Sequence, residues 1–146
     1  MVVVALLVER QRVLEARAAP AADADPQAAF EGSANGVFWN QGQICSAGTR
    51  VYVEAPLYDD AVNAFVDRAS GIVMGDGLDE ATEMGPLVSL EQLERVEGYI
   101  AVGEREAKLA GRGRGPHDAR FAPGYFVPPT VFADVDNSAT IAREEI

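Results

Sequence analysis

Cys45 is the residue of this chain best suited to covalent chemistry. A thiol becomes a nucleophile when its thiolate is stabilised and reachable, whereas a lone cysteine without such surroundings is usually a small buried apolar residue. Gly42 precedes Cys45, and Ser46 and Gly48 follow it, so the predicted turn has little steric cover. The backbone amides of such a turn can come close to a reacting oxygen. These neighbours favour a nucleophilic role for the cysteine.

A helix and a strand are predicted on the two sides of this turn. Asp25 can cap a helix that begins at Pro26, because the proline ring already has a helical φ and needs no amide donor there. Apolar residues recur at helical spacing over residues 26 to about 40, and Gly42 stands where a left-handed residue ends a helix. Residues 49–53 alternate and contain β-branched and aromatic types, which predicts a strand.

The apolar run at residues 2–8 predicts either a buried strand or the beginning of a helix that continues through Leu14. It is too short to cross a bilayer, which needs about 20 residues. A second amphipathic helix is predicted over residues 57–69. Residues 71–88 hold four glycines and no helical period, so they are expected to form an ordered connection.

Ser89 and Gln92 have the spacing of a capping box, which predicts a helix from there to about residue 110. Residues 111–124 are rich in glycine, proline and arginine and predict a loop. Residues 126–132 predict an extended stretch that two prolines interrupt and that resumes at a sheet edge. This alternation of helices and strands predicts an α/β layered fold.

The charge and the cysteine content exclude several classes of protein. Twelve Lys and Arg residues against 23 Asp and Glu residues give a net charge of −11, which predicts no binding to nucleic acid or to an anionic membrane surface. A single cysteine cannot form an internal disulfide and predicts a cytoplasmic protein. Cys45 and His117 alone are too few for a thiolate and imidazole zinc site, so no metal is expected.

The sequence around Cys45 resembles the cysteine signature of the aldehyde dehydrogenases. Phe38, three further residues and then Gly42-Gln43-Ile44-Cys45-Ser46-Ala47 reproduce that signature. Other motifs resembling the family occur in its order: Ala22-Asp23-Ala24-Asp25, Asn35-Gly36, Thr49-Arg50-Val51-Tyr52-Val53, Thr82-Glu83-Met84-Gly85-Pro86-Leu87, Gly124-Tyr125-Phe126, Pro129-Thr130-Val131-Phe132 and Ile141-Ala142-Arg143-Glu144-Glu145-Ile146. The likeness divides the chain into residues 1–20, which show no resemblance, and residues 21–146, a partial catalytic domain. It implies a partial three-layer α/β fold with a mostly parallel sheet.

The resemblance also implies a reaction and its participants. The Cys45 thiolate would attack a small-molecule aldehyde to give a thiohemiacetal, which passes a hydride to NAD or NADP. Water would then hydrolyse the thioester to a carboxylic acid. The family holds the developing alkoxide with the backbone N–H of the cysteine and an asparagine side chain. Glu145 matches the family glutamate that binds the ribose hydroxyls of the nicotinamide half.

Three parts of the family's machinery have no match in this sequence. They are the dinucleotide-binding domain, the oxyanion asparagine and the Glu-Leu-Gly-Gly-Lys segment whose glutamate activates the deacylating water. We therefore expect no appreciable NAD-dependent turnover from the isolated 146-residue chain. Two alternatives stay open: a catalytically silent remnant or association module, and a thiol-dependent esterase. Apolar faces that normally pack on the missing strands predict self-association.

Other residues are weaker candidates. A hydrolytic pair of Cys45 and His117 requires the fold to bring the two together. Trp39 is expected either to line the approach to the cysteine, where it would favour apolar aldehydes, or to pack in the core. Three spaced glycines resemble the opening of a dinucleotide-binding fingerprint: Gly111, Gly113 and Gly115. They do not satisfy it, because they follow a predicted helix instead of a strand and the third glycine is misplaced. Solvated loop charges are the expected role of Arg112, Arg114 and Arg120.

Overall fold

A four-stranded mixed sheet organises the residues described in the computed structural model, which are the backbone of residues 3–9 and all of residues 25–146. The strands are β1 (Val3–Glu9), β2 (Arg50–Glu54), β3 (Lys108–Arg112) and β4 (Thr130–Ala133). The helices are α1 (Pro26–Phe38), α2 (Tyr58–Gly71), α3 (Leu90–Glu106) and α4 (Thr140–Arg143). Short 3-10 helices span Trp39–Gly42, Ala55–Leu57 and Ala119–Phe121.

The strands are ordered β2-β1-β4-β3. β1 pairs in parallel with both β2 and β4, and β3 pairs antiparallel with β4, so two of the three pairings are parallel. The register sets Leu7 opposite Tyr52 and Val4 opposite Val131. The apolar run near the start of the chain thus forms a strand within the sheet, which was one of the two structures predicted for it. The continuation of a helix through Leu14 lies outside the described residues.

Helices cover both faces of the sheet. Gly103 of α3 lies so close to Phe132 of β4 that an added Cβ would meet the ring at 2.6 Å. Gly111 of β3 stands opposite Val131, the neighbour of Phe132, and packs against Val66 of α2. Because successive residues of a strand point to opposite faces, α2 and α3 lie on opposite sides. The arrangement is the three-layer α/β fold that the sequence predicted.

Local capping signals fix where the two long predicted helices begin. Asp25 accepts hydrogen bonds from the backbone N–H groups of Gln27 and Ala28 at 3.0 and 3.4 Å. Ser89 Oγ accepts the N–H of Gln92 at 3.1 Å, and α3 begins at Leu90, directly after Ser89. These contacts satisfy amides that have no partner within the first turn of a helix. Both starts were correctly predicted.

The predicted end of the third helix is wrong. α3 ends at Glu106, and residues 108–112 form β3 instead of continuing the helix or opening the loop. Lysine, leucine and alanine suit a helix, but pairing with β4 gives this stretch a ladder of hydrogen bonds that no local pattern reveals. Gly113 N–H extends the pairing by donating to Pro129 O at 2.7 Å. The residues after it, 113–118, have neither helix nor strand, as predicted.

The predicted position of the last strand is also wrong. β4 lies between β1 and β3 and is therefore interior, whereas the proline pair before it had suggested an edge. Pro128 and Pro129 precede the first paired residue, Thr130, so they remove no hydrogen bond from the ladder. All four residues of β4 are buried, which agrees with helices on both faces.

Two glycines of α3 give a matched test of this packing. Gly103→Ala places a methyl group against the Phe132 ring, and we expect it to lower the free energy of unfolding by about 1–3 kcal/mol. Gly98→Ala has nothing within 4 Å of the new carbon and should raise it by about 0.5–1 kcal/mol through helix propensity. Urea unfolding followed by circular dichroism measures both. Equal effects of the two substitutions would contradict the proposed contact between α3 and β4.

Candidate active site

Three consecutive residues with left-handed backbone connect α1 to the cysteine turn. Their φ angles are 48° at Asn40, 57° at Gln41 and 69° at Gly42. The glycine adopts this conformation without a steric cost, as the sequence predicted. Gln41 does not, since a left-handed residue with a side chain costs roughly 1–2 kcal/mol, whereas asparagine at position 40 is among the residue types that adopt this conformation most readily. The prediction of a helix to about residue 40 is therefore wrong by its last two residues, because α1 ends at Phe38.

Cys45 lies in a tight turn, and its side chain is exposed. The N–H of Ala47 donates to the carbonyl of Ile44 at 3.0 Å and closes the turn. Cys45 and Ser46 are therefore its two central residues, whose own amides are not used in that closure. The next hydrogen bond, from Thr49 N–H to Ala47 O at 3.1 Å, leads the chain into β2. The thiol is thus reachable between a helix and a strand, where the sequence predicted it.

Two glutamine side chains attach this loop to residues 85–88. The Oε1 atom of Gln43 accepts the N–H of Val88 at 3.1 Å. When the oxygen and nitrogen of the Gln41 side-chain amide are exchanged, its nitrogen faces acceptors on Asn40 and its oxygen accepts the N–H of Gly85 at 2.9 Å. The segment is itself held, because Leu87 is buried and its N–H donates to Tyr125 O at 2.8 Å. The cysteine loop is thus supported by a segment more than forty residues further along the chain.

Apolar side chains flank the cysteine loop on the surface. Trp39 is 71% exposed, Val88 is 80% exposed and Leu90 is 51% exposed. Core packing, one of the two roles expected of Trp39, is therefore wrong. The indole begins the loop six residues before the cysteine, and Val88 belongs to the segment that the glutamines hold. Exposed apolar side chains thus occur at the start of the loop and on the segment to which the loop is attached.

The second site residue expected from the sequence, Glu145, lies on a segment anchored to α3. The Glu145 side chain is exposed, and its backbone carbonyl accepts Arg95 Nη2 at 2.9 Å. Tyr99, one turn further along α3, donates its hydroxyl to Glu144 Oε2 at 2.8 Å. The guanidinium of Arg95 lies 5.8 Å from the centre of the Tyr99 ring. These contacts fix the backbone on which the Glu145 carboxylate is carried.

Two more contacts extend this anchorage. Glu106 accepts both the N–H and the hydroxyl of Thr140, at 2.7 and 2.8 Å, and so caps the start of α4. Arg50, five residues after the cysteine, donates to the carbonyl of Ala142 at 2.7 Å. The structure therefore brings the strand that follows the cysteine turn into contact with the segment that carries Glu145. Sequence reasoning missed the contacts of Arg50, Arg95, Tyr99 and Glu106, since their partners lie 34 to 92 residues away and leave no local signal.

The weaker candidates do not join this site. His117 is exposed in the loop after β3 and, within the described residues, makes no hydrogen bond to Cys45. Arg120 pairs with Asp118 at 3.0 Å and lies 4.6 Å from the centre of the Phe121 ring, in keeping with a loop charge. Residues 3–9 and 25–146 show no group of three metal-binding side chains and no helix long and apolar enough to span a bilayer.

Residues 19–146 match the sequence model of the aldehyde dehydrogenase family. The chain belongs to this family. It is 48% identical to the betaine aldehyde dehydrogenase of Brucella anthropi over 125 residues, which are 85% of this chain and 26% of the relative. The chain spans about a quarter of the length of the curated relatives it matches.

Solved aldehyde dehydrogenases have the same fold. The Bacillus cereus enzyme in complex with NAD+ is 44% identical, with a TM-score of 0.79 over 87% of this chain and 25% of the solved one. The betaine aldehyde dehydrogenase of Staphylococcus aureus, also in complex with NAD+, is 32% identical with a TM-score of 0.79 over 99% of this chain and 26% of its own. The aldehyde dehydrogenase fold expected from the sequence is therefore confirmed.

Arg95→Met tests the anchorage of the segment that carries Glu145. The substitution keeps an unbranched apolar stem but removes the donor to the Glu145 carbonyl, so the last residues should open more often. We expect amide hydrogen exchange of residues 144–146 to increase about tenfold, as measured by mass spectrometry. Arg105→Met, near the end of the same helix, is the control and should leave this exchange unchanged. Equal exchange in the two variants would contradict the anchoring role.

The hydrogen bond between Tyr99 and Glu144 gives a pH-dependent signature. The bond to Glu144 raises the pKa of Tyr99 above its usual value of 10.0, because it favours the protonated phenol. Its stabilising effect is fully present below pH 10.0 and is lost as the pH rises through the higher pKa of the folded state. We expect Glu144→Ala to return the Tyr99 pKa toward the usual value, as followed by NMR of labelled tyrosine rings. Glu104→Ala on α3 is the control; a Tyr99 titration that is the same in both variants would refute the assignment.

Proposed function

We propose that Cys45 is the catalytic nucleophile of an aldehyde dehydrogenase catalytic domain of which this chain is a part. The observation that carries the proposal is the exposed thiol at the centre of the turn closed between Ile44 and Ala47. A thiol in this position is reachable, and the neighbouring amides are oriented by the turn and not by a helix. Membership of the family supports the same assignment.

The first chemical step needs only this turn and the substrate. The Cys45 thiolate attacks the carbonyl carbon of an aldehyde, a C–S bond forms, and the π electron pair of the carbonyl moves to oxygen. The resulting alkoxide takes a proton and becomes a thiohemiacetal. A backbone N–H at the centre of the turn donates to this oxygen as its charge develops, which is the role that the resemblance assigns to the amide of Cys45.

Only part of a nicotinamide cofactor fits the residues described. Glu145 presents an exposed carboxylate on an anchored backbone, which suits the two hydroxyls of a ribose. The glycines after α3 do not form a phosphate-binding turn, since Gly111 packs on Val66 and Gly113 lies against the Ala69 carbonyl. We assign Glu145 to the ribose of NAD or NADP, which accepts the hydride when it is bound. No step through the cofactor is derived from this chain alone.

The aldehyde is proposed to approach along the indole of Trp39. Its exposed aromatic face suits an apolar chain, and it also suits a quaternary ammonium group through a cation–π contact. Some of the similar proteins are named for betaine aldehyde, which carries such a group. The indole of Trp39 therefore suits both substrate classes and does not by itself choose between them.

A thiol-dependent esterase is the second candidate, and the exposure of Cys45 is the observation that favours it. An activated ester would acylate the thiol and release its alcohol without any nicotinamide. The catalytically silent remnant or association module has less support. Self-association through exposed apolar surface and a cytoplasmic location both remain predictions.

The decisive experiment observes the covalent adduct without cofactor. The 146-residue chain is mixed with an aldehyde labelled with ¹³C at the carbonyl, and carbon NMR should show a thiohemiacetal that is absent from Cys45→Ala. We expect the Cys45 thiol to bind the aldehyde about fivefold more tightly than N-acetylcysteine does, because one donor at the new oxygen contributes about 1 kcal/mol. Affinity equal to that of the free thiol would overturn the proposal.

Two further readings separate the alternatives. Addition of NAD to the same sample should give no NADH absorbance, because the chain lacks a match to the cofactor domain. With p-nitrophenyl acetate, release of one equivalent of p-nitrophenol indicates acylation alone, whereas continued release supports the esterase. Ester hydrolysis that survives Cys45→Ala would exclude a thiol-dependent esterase.

A further inference from the structure

We propose that Gln43 is a positioning residue for Cys45, and that it orients the cysteine turn by binding the backbone of Val88. This inference rests on the proposed nucleophilic role of Cys45 and adds the device that holds the nucleophile. Gln43 lies two residues before the cysteine, and its Oε1 atom accepts the Val88 N–H at 3.1 Å. It is a positioning residue and not a catalytic one, because it acts through the turn.

The need for such a device comes from the backbone. Gln41 is held in a left-handed conformation that costs free energy, Asn40 before it is also left-handed, and Gly42 after it has the widest conformational freedom of any residue type. Without other contacts this stretch would relax and the following turn would move with it. Backbone strain of this kind persists only where surrounding contacts hold it.

The contacts that hold it converge on one segment. Besides the bond from Gln43 to Val88, the side chain of Gln41 binds the Gly85 N–H at 2.9 Å. Asn40 Nδ2 donates to the carbonyl of Gln43 at 3.3 Å and joins the two ends of the strained stretch. Two acceptors thus reach two amides of the same segment, three residues apart. This double attachment, which we call the glutamine latch, fixes both the position and the rotation of the loop.

The latch bears on one step in particular. Acylation of a thiol by an ester passes through a tetrahedral intermediate whose oxyanion needs a donor in a fixed position. Alkylation by iodoacetamide is a direct displacement at carbon with iodide leaving, and no oxyanion forms. If Gln43 orients the turn amides, its loss should slow acylation and leave alkylation almost unchanged. If Gln43 only holds the fold together, its loss should change both rates alike.

The test compares three variants of the full chain with the unchanged protein. Gln43→Leu removes the acceptor for the Val88 N–H at nearly the same volume. Gln43→Glu keeps an acceptor oxygen, and any effect of its charge on the thiolate cancels in the ratio of the two rates. Gln27→Leu is the matched control, since Gln27 lies in the first turn of α1 and its side chain binds Glu31. Rates of Cys45 acylation by p-nitrophenyl acetate and of alkylation by iodoacetamide are measured for each.

We expect the ratio of acylation to alkylation to fall about tenfold in Gln43→Leu, the effect of one lost hydrogen bond of ordinary strength. The ratio should be retained in Gln43→Glu and in the control. An unchanged ratio in Gln43→Leu overturns the proposal, whether both rates stay the same or fall together. Should Gln43→Leu not fold, Gln41→Met breaks the other half of the latch, and the same criterion applies to it.

Failure of the proposed function has a different signature. If the unchanged protein acylates no faster, relative to alkylation, than N-acetylcysteine does, then the turn offers no oxyanion donor and Cys45 has no catalytic setting. If the ratio of acylation to alkylation in the unchanged protein exceeds that of N-acetylcysteine and Gln43→Leu does not lower it, the result supports Cys45 as the nucleophile but refutes the latch.

Discussion

The candidate site depends on one constraint, which is how the chain passes from the buried end of α1 to the start of β2 between residues 38 and 50. Val37 and Phe38 at the end of α1 are buried, and β2 is fixed by its pairing with β1. Packing therefore fixes the end of α1, and strand pairing fixes the start of β2. Left-handed backbone at residues 40–42 lies within this connection, and the cysteine turn that follows is on the surface. The exposed thiol therefore stands in a short connection whose two ends are both fixed.

Helix α3 and the residue before its cap support both ends of the proposed chemistry. Val88, which receives the latch, directly precedes Ser89, whose side chain caps the helix. Further along α3, Arg95 and Tyr99 hold the segment that carries the ribose-binding candidate. The helix is itself fixed by close packing of Gly103 on the sheet. The proposed nucleophile and the proposed cofactor contact, far apart in sequence, are therefore both attached to α3 or to the residue before it, and a disturbance of α3 would reach both.

The sequence was sufficient where a single local interaction decides the structure. Asp25 with Pro26 and Ser89 with Gln92 are short-range signals, and both predicted helix starts were correct. It was insufficient where a distant partner decides. Residues 108–112 become a strand because β4 is available to pair, and β4 is interior because β1 and β3 lie on its two sides. The exposed turn at Cys45 was predicted from its glycine-containing surroundings and from the family resemblance, whereas the hydrogen bonds of the glutamine latch join residues about 45 positions apart and have no local signal.

The chain spans about a quarter of the length of its relatives, and its described residues bear on only one half of the proposed reaction. Nucleophilic capture requires a thiol, an oriented amide and room for the substrate, and the role proposed for Cys45 rests on an exposed thiol in a turn supported by residues 85–88. Oxidation and release require a hydride acceptor and an activated water, and the segments that provide them in the family have no match here. Capture without release leads to a covalent adduct that accumulates instead of turning over. The proposed latch would act on the first half of the reaction, and that half can be studied separately from the second.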